Sequence, residues 1–260
     1  MMETNPGALA GKHALVTGGA RGIGAAITHA LFVQGASVTA VGRSAETGVD
    51  FEDINCKEVV YVQADVADPL CIASAFRSAE KRFGPISILV NNAGQARSAP
   101  FLKTDSELWR TMVEVNLNGS FHCSQAALPG MLAAGWGRII NISSTAGLIG
   151  YSYVTAYCAA KHAVIGLTRA LALEVATKGI TVNAVCPGFT ETEMLQEAIQ
   201  GIVAKTGRSA VEARAELAAR NPQKRLIQPG EVANAVLWMC LPGSEAINGQ
   251  AIVVAGGEVM

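Results

Sequence analysis

Short apolar runs rich in valine and isoleucine recur along the chain, with helix-length segments between them. The runs are HALVTGG from His13, SVTAVG from Ser37, EVVYVQAD from Glu58, ISILVNNAG from Ile86, RIINISS from Arg138, ITVNAVCPG from Ile180 and QAIVVAGG from Gln250. They do not alternate with polar residues, as expected of strands covered on both faces of a parallel sheet. GIGAAITHALFVQGA reads as a helix stopped at Gly35. DPLCIASAFRSAEKRFG opens on an N-cap, Asp68, and a first-turn proline, Pro69, and ends at Gly84. Two longer helices are predicted over Ser106–Leu132 and Thr155–Lys178, each with an apolar face. This alternation predicts one doubly wound α/β domain over residues 1–260, with helices on both faces of about seven parallel strands. Residues 190–228 form a charged helical insertion, too long for an ordinary connection, which reads as a lid or substrate-binding element.

Composition narrows the function classes. Hydrophobic residues make up 50% and charged residues 16% of the 260, enough for a sizeable core. The net charge of −1 comes with no basic stripe or acidic tail, which argues against nucleic-acid or membrane-surface partners. MMETNPGALAGK does not read as a signal peptide. The uncharged run Ile139–Ala160 contains Asn141, Ser143, Ser144, Thr145, Gly147, Gly150 and Ser152, so it fails as a lipid-facing span. Cys56, Cys71, Cys123, Cys158, Cys186 and Cys240 make no CxxC pair and read as reduced cysteines of a cytoplasmic protein. His13, His29, His122 and His162 are scattered; we read them as structural and expect no metal site.

Thr17–Gly24 reads TGGARGIG, directly after the first strand and opening the first helix, with glycines at 18, 22 and 24. Residues without Cβ let backbone N–H groups approach a pyrophosphate at a helix N-terminus. The alternative is a tight strand–helix turn. A carboxylate to hold the ribose 2′-hydroxyl of NAD is expected after the second strand, yet that place reads Val41-Gly42-Arg43-Ser44. Arg43, with Arg21 in the loop itself, would favour a 2′-phosphate, so the expected cofactor is NADPH/NADP+ rather than NAD(H). The competing reading makes both arginines solvated surface charges.

Tyr157 and Lys161 are i and i+4 and share a helix face. A phenol with a pKa near 10 is a poor proton shuttle at neutral pH, and a nearby ammonium lowers that value. Such a tyrosine can pass a proton to a carbonyl oxygen as hydride reaches the carbon. Ser144, thirteen residues before Tyr157, ends a predicted strand on the ligand side of the sheet, where its hydroxyl can donate to the same oxygen.

Together these residues resemble the short-chain dehydrogenase/reductase family, from His13 to Gly257, which implies a Rossmann-like fold. TGGARGIG resembles its cofactor loop, implying contacts from Gly18, Arg21, Gly22, Ile23 and Gly24. Arg43 and Ser44 would lie by the adenosine ribose. Asp65, with Val66, resembles the adenine contact. NNAG resembles the segment supporting the central sheet, with Asn92, Ala93 and Gly94 along the cofactor. PGFTET resembles the nicotinamide-side loop, through Pro187, Gly188, Thr190 and Thr192. Ser144, Tyr157 and Lys161 fall on the catalytic positions, with Asn116 as the fourth. The resemblance implies that Tyr157 is the general acid/base, that Lys161 lowers its pKa and holds the nicotinamide ribose, that Ser144 polarises the carbonyl, and that Asn116 holds a water leading from Lys161 to solvent.

Within the family, AKHAVIGLTRALALEVATKGITVNAVCPGFTETEM and LIQPGEVA resemble bacterial 3-oxoacyl reductases and aromatic-polyketide ketoreductases. Lys161-His162 and the long insertion are also similar to bacterial 3-hydroxybutyrate dehydrogenases. The histidine and lysine those enzymes carry for a free carboxylate are replaced here by Thr145-Ala146-Gly147 and Tyr151-Ser152-Tyr153, which argues against a small free acid. Gln95-Ala96-Arg97 replaces the Pro-Gly-Gly of the polyketide enzymes. The expected function is NADPH-dependent reduction of a 3-oxoacyl thioester or similar apolar ketone, in a site lined by Gln95, Arg97, Ser144, Leu148, Tyr151, Tyr153 and Phe189. Arg97, Lys103, Lys205 and Arg208 are candidates for a carrier phosphate, or solvated charges. The alternatives are an NAD-dependent catabolic dehydrogenase and a catalytically silent nucleotide-binding sensor or scaffold. The resemblance also implies a homotetramer.

Overall fold

The computed structural model describes residues 7–44 and 57–260, so Cys56 and the first residues of the chain lie outside it. Its strands are β1 (His13–Thr17), β2 (Ser37–Gly42), β3 (Val59–Gln63), β4 (Ile88–Asn91), β5 (Gly137–Ile142), β6 (Ile180–Pro187) and β7 (Ala251–Val254). They form one sheet in the order β3-β2-β1-β4-β5-β6-β7, with every neighbouring pair parallel. Every residue of β1, β4, β5 and β6 is buried, which is why these runs lack polar alternation. β7, at an edge, is half-buried along its length.

Helices cover both faces. α1 (Gly22–Val33) and α8 (Pro229–Cys240) pack Ile27, Leu31, Val232 and Val236 on one side of the sheet. On the other, α2 (Pro69–Phe83), α4 (Gly119–Ala134) and α5 (Thr155–Val175) supply Phe76, Cys123, Met131, Ala172 and Val175. Asp68 caps α2 by accepting from Leu70 N at 2.8 Å.

The helix expected over Ser106–Leu132 is interrupted. α3 (Ser106–Val113) and α4 are separated by a π-type turn over Glu114–Asn118. The wider turn places Asn116 where its side chain reaches back to the Met112 carbonyl and across to Gln95. α5 stops at Val175, short of the expected Lys178.

The insertion folds as α6 (Glu193–Thr206) and α7 (Ala210–Ala219), capped by Thr192 and Ser209 and separated by Gly207 at φ +72°. Leu195, Ile199, Ala213, Leu217 and Leu226 give it a small core of its own, against which Phe189 packs. Arg214 pairs with Glu191, and Arg208 with Glu216. Among the described residues no helix is long and apolar enough to cross a membrane.

The strand order reverses between β1 and β4, with β2 and β3 on one side and β5 to β7 on the other. The loops at the carboxyl ends of these strands part there and leave a crevice.

Candidate active site

The turn after β1 is fastened to the loop after β4. Asn92 Nδ2 donates to Thr17 O at 2.9 Å and Gly18 O at 3.3 Å, and Ala93 N donates to Thr17 Oγ1 at 2.9 Å. Gly18 sits at φ +64°. A Cβ on Gly24 would lie 1.9 Å from Gly18 O, and one on Gly22 would lie 3.2 Å from Thr192 Cγ2. Gly18, Arg21, Gly22, Ile23, Gly24, Asn92, Ala93, Gly94 and Thr192 thus converge on the switch point. The cradle, bare of side chains where the glycines lie, fits the diphosphate of a dinucleotide.

Further along the crevice, Asp65 Oδ1 accepts from Ala67 N at 2.9 Å, fixing the turn after β3, and Val66 packs against Gly119. Beyond β2, Gln63 Nε2 donates to Arg43 O at 2.8 Å and Tyr61 Oη to Ser44 O at 2.6 Å. These bonds hold the Arg43-Ser44 backbone while both side chains stay exposed. Arg21 is also exposed and lies 3.3 Å from Glu193 on α6. Of the two guanidinium groups, Arg21 therefore has a carboxylate partner, and Arg43 has none within 4.0 Å among the described residues.

Ser144 follows β5 and caps a one-turn 3-10 helix over Thr145–Gly147, its Oγ accepting from Ala146 N at 3.1 Å. Tyr157 lies in the first turn of α5, and the Ser144 side chain is the polar group that draws its phenol's proton affinity down. Lys161 is 4% exposed. Its Nζ donates to Ile142 O at 2.8 Å and lies 5.7 Å from the centre of the Tyr157 ring. Ser143 Oγ donates to Lys161 O at 3.0 Å, tying α5 to the end of β5. Asn116 Nδ2 donates to Gln95 O and Met112 O, each at 2.9 Å, and its Oδ1 accepts from Gln95 N at 3.2 Å. A Cβ on Gly94 would lie 2.8 Å from Asn116 Oδ1 and 3.5 Å from Lys161 Nζ, so this glycine leaves the space between the two polar groups open.

The electrostatics differ from the sequence expectation. Burial is the largest influence on Tyr157 and pushes its phenol up to about 12, with the Ser144 hydroxyl pulling the other way. Burial likewise pushes Lys161 down to about 8, opposed by the Cys186 thiol. The neutral, small-residue surroundings leave little to offset desolvation. The downward pull on the phenol comes from Ser144, and the ammonium is engaged by a backbone carbonyl.

Pro187 ends β6, and Gly188 follows. Thr190 is buried, with its Oγ1 donating to Gly188 O at 3.0 Å, and Thr192 Oγ1 donates to Thr190 O at 3.3 Å. Phe189 meets the Tyr151 ring edge-on, with 6.2 Å between centres. Leu148 is half-buried beside Ile165 and Cys186. Tyr153, at φ +69°, and Arg97 are exposed at the rim, where Tyr153 O accepts from Ala99 N at 2.8 Å. Arg97 lines a surface cavity of about 240 Å³ with Lys103, Asp105 and Glu107. Lys205 Nζ, from α6, donates to Ser98 Oγ at 3.2 Å and so bridges the insertion to the loop after β4.

Residues 12–202 match the sequence profile described as short chain dehydrogenase. The chain belongs to the short-chain dehydrogenase family. A 3-oxoacyl-[acyl-carrier-protein] reductase of Vibrio cholerae is 38% identical to it, over 97% of this chain and 99% of that protein. A D-beta-hydroxybutyrate dehydrogenase of Cupriavidus necator is 35% identical, over 96% and 99%. Among solved structures, an actinorhodin polyketide ketoreductase crystallised with NADPH superposes with a TM-score of 0.91 at 38% identity, covering 95% of this chain and 97% of that one.

As a short-chain dehydrogenase, the protein is an oxidoreductase of a family that binds a nicotinamide cofactor. Two features of this member escape sequence reading. The carbonyl of Ile142, which holds Lys161, is a backbone acceptor and carries no residue signature. Glu258, in the C-terminal tail, reaches Tyr151 across 107 positions of sequence. Among the described residues, no three His, Cys, Asp or Glu side chains gather as metal ligands. His13 bonds Gly84 O and Thr39 Oγ1, and His162 bonds Cys158 O.

Proposed function

We propose that this short-chain dehydrogenase is an NADPH-dependent carbonyl reductase acting on a 3-oxoacyl thioester or a similar apolar ketone. The observation that carries the reading is Lys161, buried 5.7 Å from the centre of the Tyr157 ring and bonded to Ile142 at the strand end that leads into Ser144. When bound, the dinucleotide supplies a hydride for the carbonyl carbon. Tyr157, which keeps its proton across the neutral range, donates it to the carbonyl oxygen. Ser144 donates a hydrogen bond to that same oxygen as charge builds on it. Lys161 holds the nicotinamide ribose, and Asn116, fixed on Gln95, lines the proton route from Lys161 outward. Gly18, Arg21, Gly22, Ile23, Gly24, Arg43, Ser44, Asp65, Val66, Asn92, Ala93, Gly94, Pro187, Gly188, Thr190 and Thr192 hold the dinucleotide, with Arg43 the group for a 2′-phosphate. Gln95, Leu148, Tyr151 and Phe189 line the substrate side, with Arg97 and Tyr153 at its mouth and α6 and α7 above it.

Similarity to the V. cholerae reductase and to the NADPH-bound ketoreductase supports this direction. Similarity to the hydroxybutyrate dehydrogenase favours a second reading, an NAD-dependent catabolic dehydrogenase. Exposed Phe121 on α4, Leu173 on α5 and Trp238 on α8 support a homotetramer.

The test is a panel of acetoacetyl-CoA, longer 3-oxoacyl thioesters and bulky aromatic ketones, each assayed with NADPH and with NADH. Turnover with NADPH is expected. No activity on any of them refutes the reductase, and a strong preference for NADH refutes the role given to Arg43.

A further inference from the structure

Tyr151, Thr145 and Glu258 form a hydrogen-bonded chain beside the proposed catalytic serine. Tyr151 Oη lies 2.8 Å from Thr145 Oγ1 and 2.7 Å from Glu258 Oε1. The phenol has a single proton, and a carboxylate can only accept, so the proton goes to Glu258 and Thr145 becomes the donor to the phenol. Thr145 is the residue after Ser144. The other carboxylate oxygen, Glu258 Oε2, lies 2.9 Å from where a Cβ on Gly188 would stand. The carboxylate thus sits at the carboxyl ends of β5, β6 and β7, between the loop carrying Ser144 and the loop carrying Phe189.

Its position is held from several sides. Phe189 packs edge-on to Tyr151, and the Arg220 guanidinium lies 5.2 Å from the centre of the same ring. Arg220 is the cation facing this cluster, yet no ion pair within 4.0 Å joins it to Glu258 among the described residues. Burial pushes the Tyr151 phenol up, and its bond to Glu258 adds to that, which keeps it a neutral donor to a charged carboxylate.

We propose that Glu258, held by Tyr151 beside Ser144, is a specificity-determining residue that turns away substrates bearing a free carboxylate near the reacting carbonyl and admits neutral esters and thioesters. This rests on the reductase reading of the same site. A like charge in a crevice with low-dielectric walls raises the free energy of an incoming carboxylate and leaves a neutral acyl group unaffected. The restriction comes from the protein's own fixed charge and needs no clash.

The experiment compares methyl acetoacetate with free acetoacetate in the full-length protein, before and after Glu258→Gln. With NADPH, the ester-to-acid ratio of kcat/KM is expected to fall roughly tenfold in Glu258→Gln, because the acid gains. Tyr151→Phe, which releases the carboxylate from its fixed position, is expected to lower the ratio by a smaller factor. Calorimetric titration of both ligands into the NADP+ complex gives the same ratio without turnover. If wild type reduces neither compound nor any thioester or ketone of the panel above, while Glu258→Gln still tightens acid binding relative to ester, the reductase reading fails and this inference stands. A ratio unchanged in both variants, by kinetics and by titration, with thermal unfolding showing both folded, overturns it. A ratio restored to the wild-type value by Arg220→Ala in the Glu258→Gln background would instead assign acid binding to Arg220 once the opposing charge is gone, in keeping with the proposal.

Discussion

The ammonium of Lys161 lies 5.7 Å from the centre of the Tyr157 ring, and its hydrogen bond goes to the Ile142 carbonyl. The pair occupies one helix face, as i and i+4 spacing requires, but the cation is anchored to the end of β5. Lys161 thereby joins α5 to the sheet at the point where Ser144 begins the loop proposed to carry the chemistry. Ile142 is two residues before Ser144, so the anchored lysine, the tyrosine one turn earlier on α5 and the serine are tied to the same strand end.

Tyr157→Phe removes the proposed proton donor while keeping the ring's packing. Turnover is expected to fall by at least about 10³-fold, with NADPH affinity changed by less than about threefold. Steady-state kinetics with fluorescence titration of NADPH checks both halves. Persistent turnover would take the tyrosine out of the mechanism.

Burial of Lys161 gives a stability signature with a defined sign. Its folded value of about 8 lies below its ordinary 10.5, so between these pH values the unfolded chain holds a proton that the folded chain has shed. Stability therefore rises with pH through that window, and the cost of burying the charge is fully present below about pH 8. Lys161→Met lacks this dependence. Urea unfolding at pH 7.5 and pH 10 is expected to show the variant's relative stability dropping by on the order of 2 kcal/mol at the higher pH. The Tyr157 contribution, which has the opposite sign above pH 10, is common to both proteins and cancels.

Arg43→Ala tests the 2′-phosphate group. KM for NADPH is expected to rise roughly tenfold or more, with KM for NADH nearly unchanged. Arg21→Ala is expected to have the smaller effect, since Glu193 already pairs with that guanidinium. Parallel cofactor kinetics separates the two arginines.

Gly24→Ala places a methyl group 1.9 Å from the Gly18 carbonyl oxygen, against backbone rather than a movable side chain. The turn must shift, so both thermal stability and NADPH binding are expected to fall, the latter by at least about tenfold. Differential scanning fluorimetry with and without NADPH is the check. A wild-type thermal shift on adding NADPH would show that the cradle tolerates a Cβ.

Much of the fold was legible because it rests on local pattern. The unalternating runs around Leu15, Leu89, Ile139 and Val182 are strands with no solvent face, and burial on both sides removes the regular polar alternation of a half-exposed strand. The Asp68-Pro69 cap was equally plain. The interruption at Glu114–Asn118 was not: Val115, Asn116 and Leu117 continue an acceptable helical pattern, and the π turn is justified only by what Asn116 reaches across the chain. Likewise, Tyr153 and Arg97 sit in segments adjoining the crevice, yet sequence gave no way to see that both are exposed at its rim.

The chain by itself determined the strand–helix alternation, the glycine turn and the juxtaposition of Tyr157 with Lys161, because each depends on spacing within a few residues. Tertiary structure decided which partner each polar group takes. Lys161 bonds to Ile142, Arg21 to Glu193, and Tyr151 to Glu258 near the end of the chain. Those choices depend on where seven parallel strands bring their carboxyl ends together. Desolvation at that meeting point also set the proton affinities, since burial is a property of the packed whole and no single segment carries it.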